Sequence, residues 1–219
     1  MSGSRRTPPL LLATVSVVLV WSAVRPNAYG TWLMETIWAV AGVIVVVVAW
    51  RQFPLTTLLC CLLALWATVL AYGGHYGYAN TPAGDAVQSW LELERNPYDR
   101  LGHFLQGFVP AIAVREVLWR RSPLQHSAWL PPLTVCVCLA FSAGWELLEW
   151  AGALAVEGGD PAFLGGQGDP WDTQWDLLLA LLGSLLALTA MTRLHDGQLA
   201  ERVAPQRADC DSSENTRAT

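Results

Sequence analysis

Asn96-Pro97-Tyr98-Asp99-Arg100-Leu101-Gly102-His103-Phe104-Leu105-Gln106-Gly107-Phe108, continuing as far as Glu116, decides the fold. The stretch enters an apolar helix that carries Asp99 and His103 one turn apart, where a bilayer favours Leu or Val. Two later segments answer it: Trp145-Glu146-Leu147-Leu148-Glu149-Trp150 and Asp169-Pro170-Trp171-Asp172-Thr173-Gln174-Trp175-Asp176. The pattern predicts a multi-helix membrane protein that gathers these carboxylates and a histidine at one face.

Outward from that stretch, the composition agrees. Of 219 residues, 53% are hydrophobic and only 14% charged, against about 25% charge in a soluble domain. Apolar runs of about 18–25 residues recur, the length that crosses hydrocarbon, and in lipid such runs are helices. Helices are expected at about 8–24, 31–50, 55–72, 97–119, 128–154 and 170–193. The expected fold is therefore an all-α membrane bundle of about six helices, residues 1–193, followed by a disordered cytoplasmic tail, 194–219. The first run resembles a signal peptide in order but is longer than the usual apolar core of about 7–15 residues and lacks an A-x-A site. It is read as an uncleaved helix; cleavage would leave five. Gly73-Gly74-His75 is read as a helix break, followed by a polar loop to Arg95.

All the basic residues are arginine, and no basic patch with interleaved aromatics suggests nucleic acid. With the N-terminus inside, Arg5, Arg6, Arg51, Arg115, Arg120, Arg121 and Arg193 fall on the cytoplasmic side, so both termini are expected there. The expected location is a cell membrane, crossed several times. Cys60, Cys61, Cys136 and Cys138 lie in apolar runs and read as buried small hydrophobes rather than ligands.

Under that topology Glu35, His75, Asp99, His103, Glu146, Glu149, Asp172 and Asp176 converge at the outer side from separate segments. Asn96-Pro97-Tyr98-Asp99 and Asp169-Pro170-Trp171-Asp172 are both good helix starts, so Asp99 and Asp172 also suit plain capping. His103 and Asp176 sit one turn deeper on the same faces. Glu146 and Glu149, three apart, repel unless a cation, a proton or an arginine such as Arg100 lies between them. Carboxylates and a His projecting from facing helices are how bundles build metal sites.

The expectation is a divalent metal held by His103, Glu149, Asp172 and Asp176, with Glu146 or Asp99 as general base. The substrate would be a lipid-linked or cell-envelope small molecule, and the surroundings the lipid bilayer. An ion- or proton-coupled transporter and a non-catalytic scaffold are the alternatives. The Gly-rich loop from Glu157 to Gly168 suits a lid or a weak anion cradle. Arg115 and Glu116, about 20 Å past His103, read as an ion pair or orientation anchor, and His126 and His195 as ordinary connection residues.

Tyr98 to Phe108, Glu146 to Trp150 and Gln167 to Asp176, with the Gly74-His75-Tyr76 break, together resemble the YjdF-type family of bacterial inner-membrane proteins. The resemblance spans nearly all of the membrane portion and implies a helical membrane fold without a mechanism. More distantly, Asp99 to His103 with Asp176 and Gly183 is similar to VanZ-like membrane proteins, which are linked to glycopeptide-antibiotic resistance.

Overall fold

A computed structural model describes residues 3–155 and 167–202. The helices are α1 (Gly3–Ser22), α2 (Tyr29–Ala49), α3 (Thr57–Tyr76), α4 (Pro82–Leu91), α5 (Tyr98–Arg121), α6 (Leu130–Ala155) and α7 (Asp172–Ala190), with a short 3₁₀ turn at Tyr78–Asn80. Residues 192–202 form a further helical segment. Among the described residues there is no strand. Helices α2, α3, α6 and α7 are long and apolar enough to cross a membrane; α1 and the more polar α5 pack with them. The protein is an all-α, multi-pass membrane bundle.

Helix α5 is the centre, packed against α7, α6 and α3, while α1 and α2 both lean on α3 and scarcely meet each other. The α5–α7 crossing is backbone on backbone. A Cβ at Gly107 would overlap the carbonyl of Ala180, and one at Gly183 would overlap the carbonyl of Phe104. Small residues permit this close approach, which gives helices in lipid their van der Waals attraction. Below the crossing, Leu59, Cys60, Ala111, Ile112, Cys138 and Ala187 form a core shared by α3, α5, α6 and α7. Cys60 and Cys138 are buried there as free thiols, whereas Cys61 and Cys136 are exposed on the bundle surface. The exterior is apolar: Val20 and Val48 are 69% and 75% exposed, as a surface solvated by lipid requires.

The structure corrects three expectations. Helix α3 does not break at Gly73 but runs on to Tyr76. The glycine is there for space, since its missing Cβ leaves room for the Tyr78 ring. The expected polar loop contains α4, begun by Pro82 at its first turn. The tail does not begin at Leu194. That residue lies within helix 192–202, where His195 and Leu199 are fully buried. The rest of the expected tail, 203–219, lies outside the described residues, as does most of the Gly-rich loop.

Buried polar contacts hold that segment in place. His195 Nε2 is 3.1 Å from Glu116 Oε2, and His195 Nδ1 is 3.0 Å from Arg115. Glu116 also accepts from the Thr56 hydroxyl at 2.7 Å and from Arg120 at 2.9 Å. Thr56 caps α3, and Gln198 accepts from Leu58 N–H at 2.9 Å, so two orphan amides of that helix start are satisfied. Arg115 pairs with Asp196 at 2.6 Å rather than with its neighbour Glu116. The anchor expected here exists, but it joins α3, α5 and the C-terminal segment.

A carboxylate–histidine chamber as the candidate functional site

The two Asx-Pro starts act alike. Asn96 Oδ1 accepts from Tyr98 N–H at 3.0 Å, and Asp169 Oδ1 accepts from Trp171 N–H at 2.9 Å. Each turn launches a helix with an acid in its first turn. The Asp99 and Asp172 side chains are then claimed from outside the helices. Arg95 reaches Asp99 at 3.3 Å and Asp169 at 3.7 Å, and it hydrogen-bonds Asp172. Burial alone would lower the pKa of Arg95. The hydrogen bond to Asp172 and the charges of Asp172, Asp99 and Asp176 outweigh it and hold the guanidinium further into its charged form. Arg100 pairs with Asp169 at 3.1 Å and lies over the Trp175 ring at 5.9 Å. Pairing of Arg100 with the α6 glutamates, the structural alternative for them, is not made.

One turn deeper, the close α5–α7 crossing sets His103 against Asp176. His103 Nε2 is 3.6 Å from Asp99 Oδ1 and 3.9 Å from Asp176 Oδ2, while Nδ1 is 3.6 Å from Glu146 Oε1. All these distances exceed hydrogen-bond length. Asp99, His103 and Asp176 are buried at 5%, 4% and 1% exposure. His103 Nδ1, Glu146 Oε1 and Asp176 Oδ1 are buried without a hydrogen-bond partner. Such atoms are costly unless something completes them.

Two groups of potential ligand atoms come within 4.8 Å of one another: Asp99, His103 and Asp176, and His103, Glu146 and Glu149. Spacings of 3.6–3.9 Å are too wide for hydrogen bonds but suit atoms each about 2.1 Å from a common ion. Two carboxylates and an imidazole make a donor set for Zn, Mn or Fe.

Beside them lies a chamber of about 30 Å³, lined in part by Glu35, Tyr78, Asp99, His103, Gln106 and Glu149. That is room for one or two waters. Gln106 accepts from Ser142 at 3.3 Å across α5–α6.

The structure thus brings together Asp99, His103, Glu146, Glu149 and Asp176 from α5, α6 and α7, with Glu35 from α2 at the same chamber. It separates Asp172, an expected ligand, which faces Arg95 at the rim. His75 is also elsewhere. Its Nδ1 is 3.0 Å from the Ser22 carbonyl, and its ring stacks on Trp21 at 4.6 Å, which ties α3 to the α1–α2 corner. Sequence reasoning missed Tyr78 and Arg95. Only an acid-dense neighbourhood hinted at an arginine partner, and nothing in the spacing hinted at the tyrosine.

The family model described as "Predicted membrane protein (DUF2238)" matches residues 8–197. Its match runs past the expected boundary at 193 and takes in His195. The chain is 44% identical over 200 residues to the inner membrane protein YjdF of Escherichia coli strain K12, covering 90% of this chain and 96% of that protein. No solved structure matches the chain.

Proposed function

The chain belongs to the DUF2238 family of membrane proteins, and from that premise we propose a metal-dependent enzyme of the inner membrane that acts on a lipid-linked or envelope substrate. The observation that carries this reading is the buried Asp99–His103–Asp176 group, whose facing atoms stand 3.6–3.9 Å apart with no hydrogen bond between them. These three residues would hold a divalent cation and leave a position open for water. The cation would acidify that water and polarise the substrate.

Glu146 faces the other ring nitrogen of His103 and acts as the carboxylate that fixes the ring's orientation. Glu149, which lines the chamber beside His103, receives the proton of the attacking water. In this assignment Asp99 moves from base to ligand, Glu149 from ligand to base and Glu146 from base to the support of His103, and Asp172, neutralised by Arg95, leaves the ligand set. Both termini lie in the cytoplasm, by the distribution of arginines, and the chamber is then on the outer half of the bundle.

A transporter would use the same acids. The enzyme reading is favoured because the neighbouring cavity, which shares Trp38, Trp66 and Leu70 with the chamber, is lined mostly by apolar side chains that suit a lipid better than an ion. The test is elemental analysis of detergent-purified protein beside its His103→Ala variant. We expect a near-stoichiometric transition metal that disappears in the variant. A well-folded wild type with no metal after incubation with zinc or manganese would overturn the reading.

A further inference from the structure

A second, larger cavity of about 390 Å³ adjoins the chamber. It lies between α1, α2 and α3, which leave it open because α1 and α2 both pack on α3 and hardly on each other. Its walls are mostly hydrocarbon, including Leu12, Val15, Val43, Val46 and Leu63. Trp38, Trp66 and Leu70 line both this space and the polar chamber. From Trp38 to Trp50 the slot follows α2 for about 18 Å, close to the depth of one leaflet of a hydrocarbon core about 30 Å thick. At Gly42, a lining residue, an added Cβ would meet nothing within 4 Å. The indole N–H of Trp66, at the junction, is buried without an acceptor.

We infer that the slot holds an acyl chain of an inner-leaflet lipid, which enters at the cytoplasmic end beside Pro8 and Trp50 and brings its terminal methyls to the Trp66 junction. The slot has the depth of one leaflet and a mostly apolar lining. The chain's own C-terminal stretch, 203–219, is charged and polar in sequence and does not suit such walls. Occupation of the slot does not rest on the reading of the chamber as a reaction site.

The experiment uses full-length protein in vesicles of phosphatidylethanolamine and phosphatidylglycerol, doped with phosphatidylglycerol that carries a photoactivatable diazirine in its acyl chain. Adducts are mapped by peptide mass spectrometry. Expected are adducts on the inward-facing positions Val43, Val46 and Ala64, falling about tenfold in Gly42→Trp, which displaces two or three buried methylenes. Labelling of the exposed Val48 should stay unchanged. Ala64→Phe fills the slot from α3 and should act alike, so one misfolded variant does not decide the matter. Labelling confined to exposed positions, or slot adducts unchanged in a folded slot-filling variant, overturns the inference. His103→Ala should keep full slot labelling. No bound metal in the wild type with slot labelling retained would overturn the reaction reading and leave this inference standing.

Discussion

His103 Nδ1 and Glu146 Oε1 face each other at 3.6 Å, both buried and both without a hydrogen-bond partner. A shift of about half an ångström would make this a hydrogen bond, and ligation at the opposite ring nitrogen would draw the ring toward its carboxylate partner. Glu146→Gln should therefore weaken zinc or manganese binding by about 10–100-fold, the usual effect of losing a ligand's supporting carboxylate. Asp172→Asn should change it only a few-fold, because Arg95 already claims that acid. Calorimetric titration of the two variants checks the order, and equal losses would return Asp172 to the ligand set.

Arg95 holds Asp99, Asp169 and Asp172 together at the rim. Arg95→Gln should lower the melting temperature in detergent by several degrees, because it leaves half-buried carboxylates facing one another. Added divalent cation should restore much of that loss, since the site becomes more negative. A melting temperature that is lowered but insensitive to any divalent cation would count against a cation site.

The α5–α7 crossing makes a steric prediction. Gly183→Ala places a methyl against the backbone of α5 and should cost about 1–3 kcal/mol. Gly42→Ala, where the added carbon meets nothing, should be neutral or slightly stabilising. Comparing their unfolding in detergent tests whether the crossing is as tight as its glycines imply.

At the opposite end of the bundle, Glu116 has no exposed surface and binds Thr56, Arg120 and His195. Glu116→Ala should cost about 3–5 kcal/mol, the usual penalty for removing one partner of a buried ion pair. Asp196→Ala, at a half-exposed side chain, should cost no more than about 1 kcal/mol, because water screens that pair. Similar losses for both would mean that the cluster is wetter than its burial indicates.

The helices were legible because lipid enforces long apolar runs, and Asp99, His103 and Asp176 stood out because they violate that rule. Glu146 and Glu149 stood out for the same reason. Asp172 misled because its place in a helix start looks the same whether it faces a site or an arginine, and Arg95 lies in a loop whose path no periodicity reveals. His195 was invisible as a core residue. Its surroundings in sequence are polar, and the distant Glu116 and Arg115 make burial of a histidine tolerable. Helix α4 was missed because a short helix with Gly84 and Asp85 reads as a loop until its packing is seen.

The hydrogen bond from Leu58 N–H to Gln198 joins residues 140 positions apart, and His195 completes the shell around Glu116. The start of α3 is therefore finished by residues synthesised long after it, and until they arrive Glu116 lacks one of its partners. A chain stopped before His195 would carry the carboxylate–histidine chamber but lack the lock that holds the other end of the bundle.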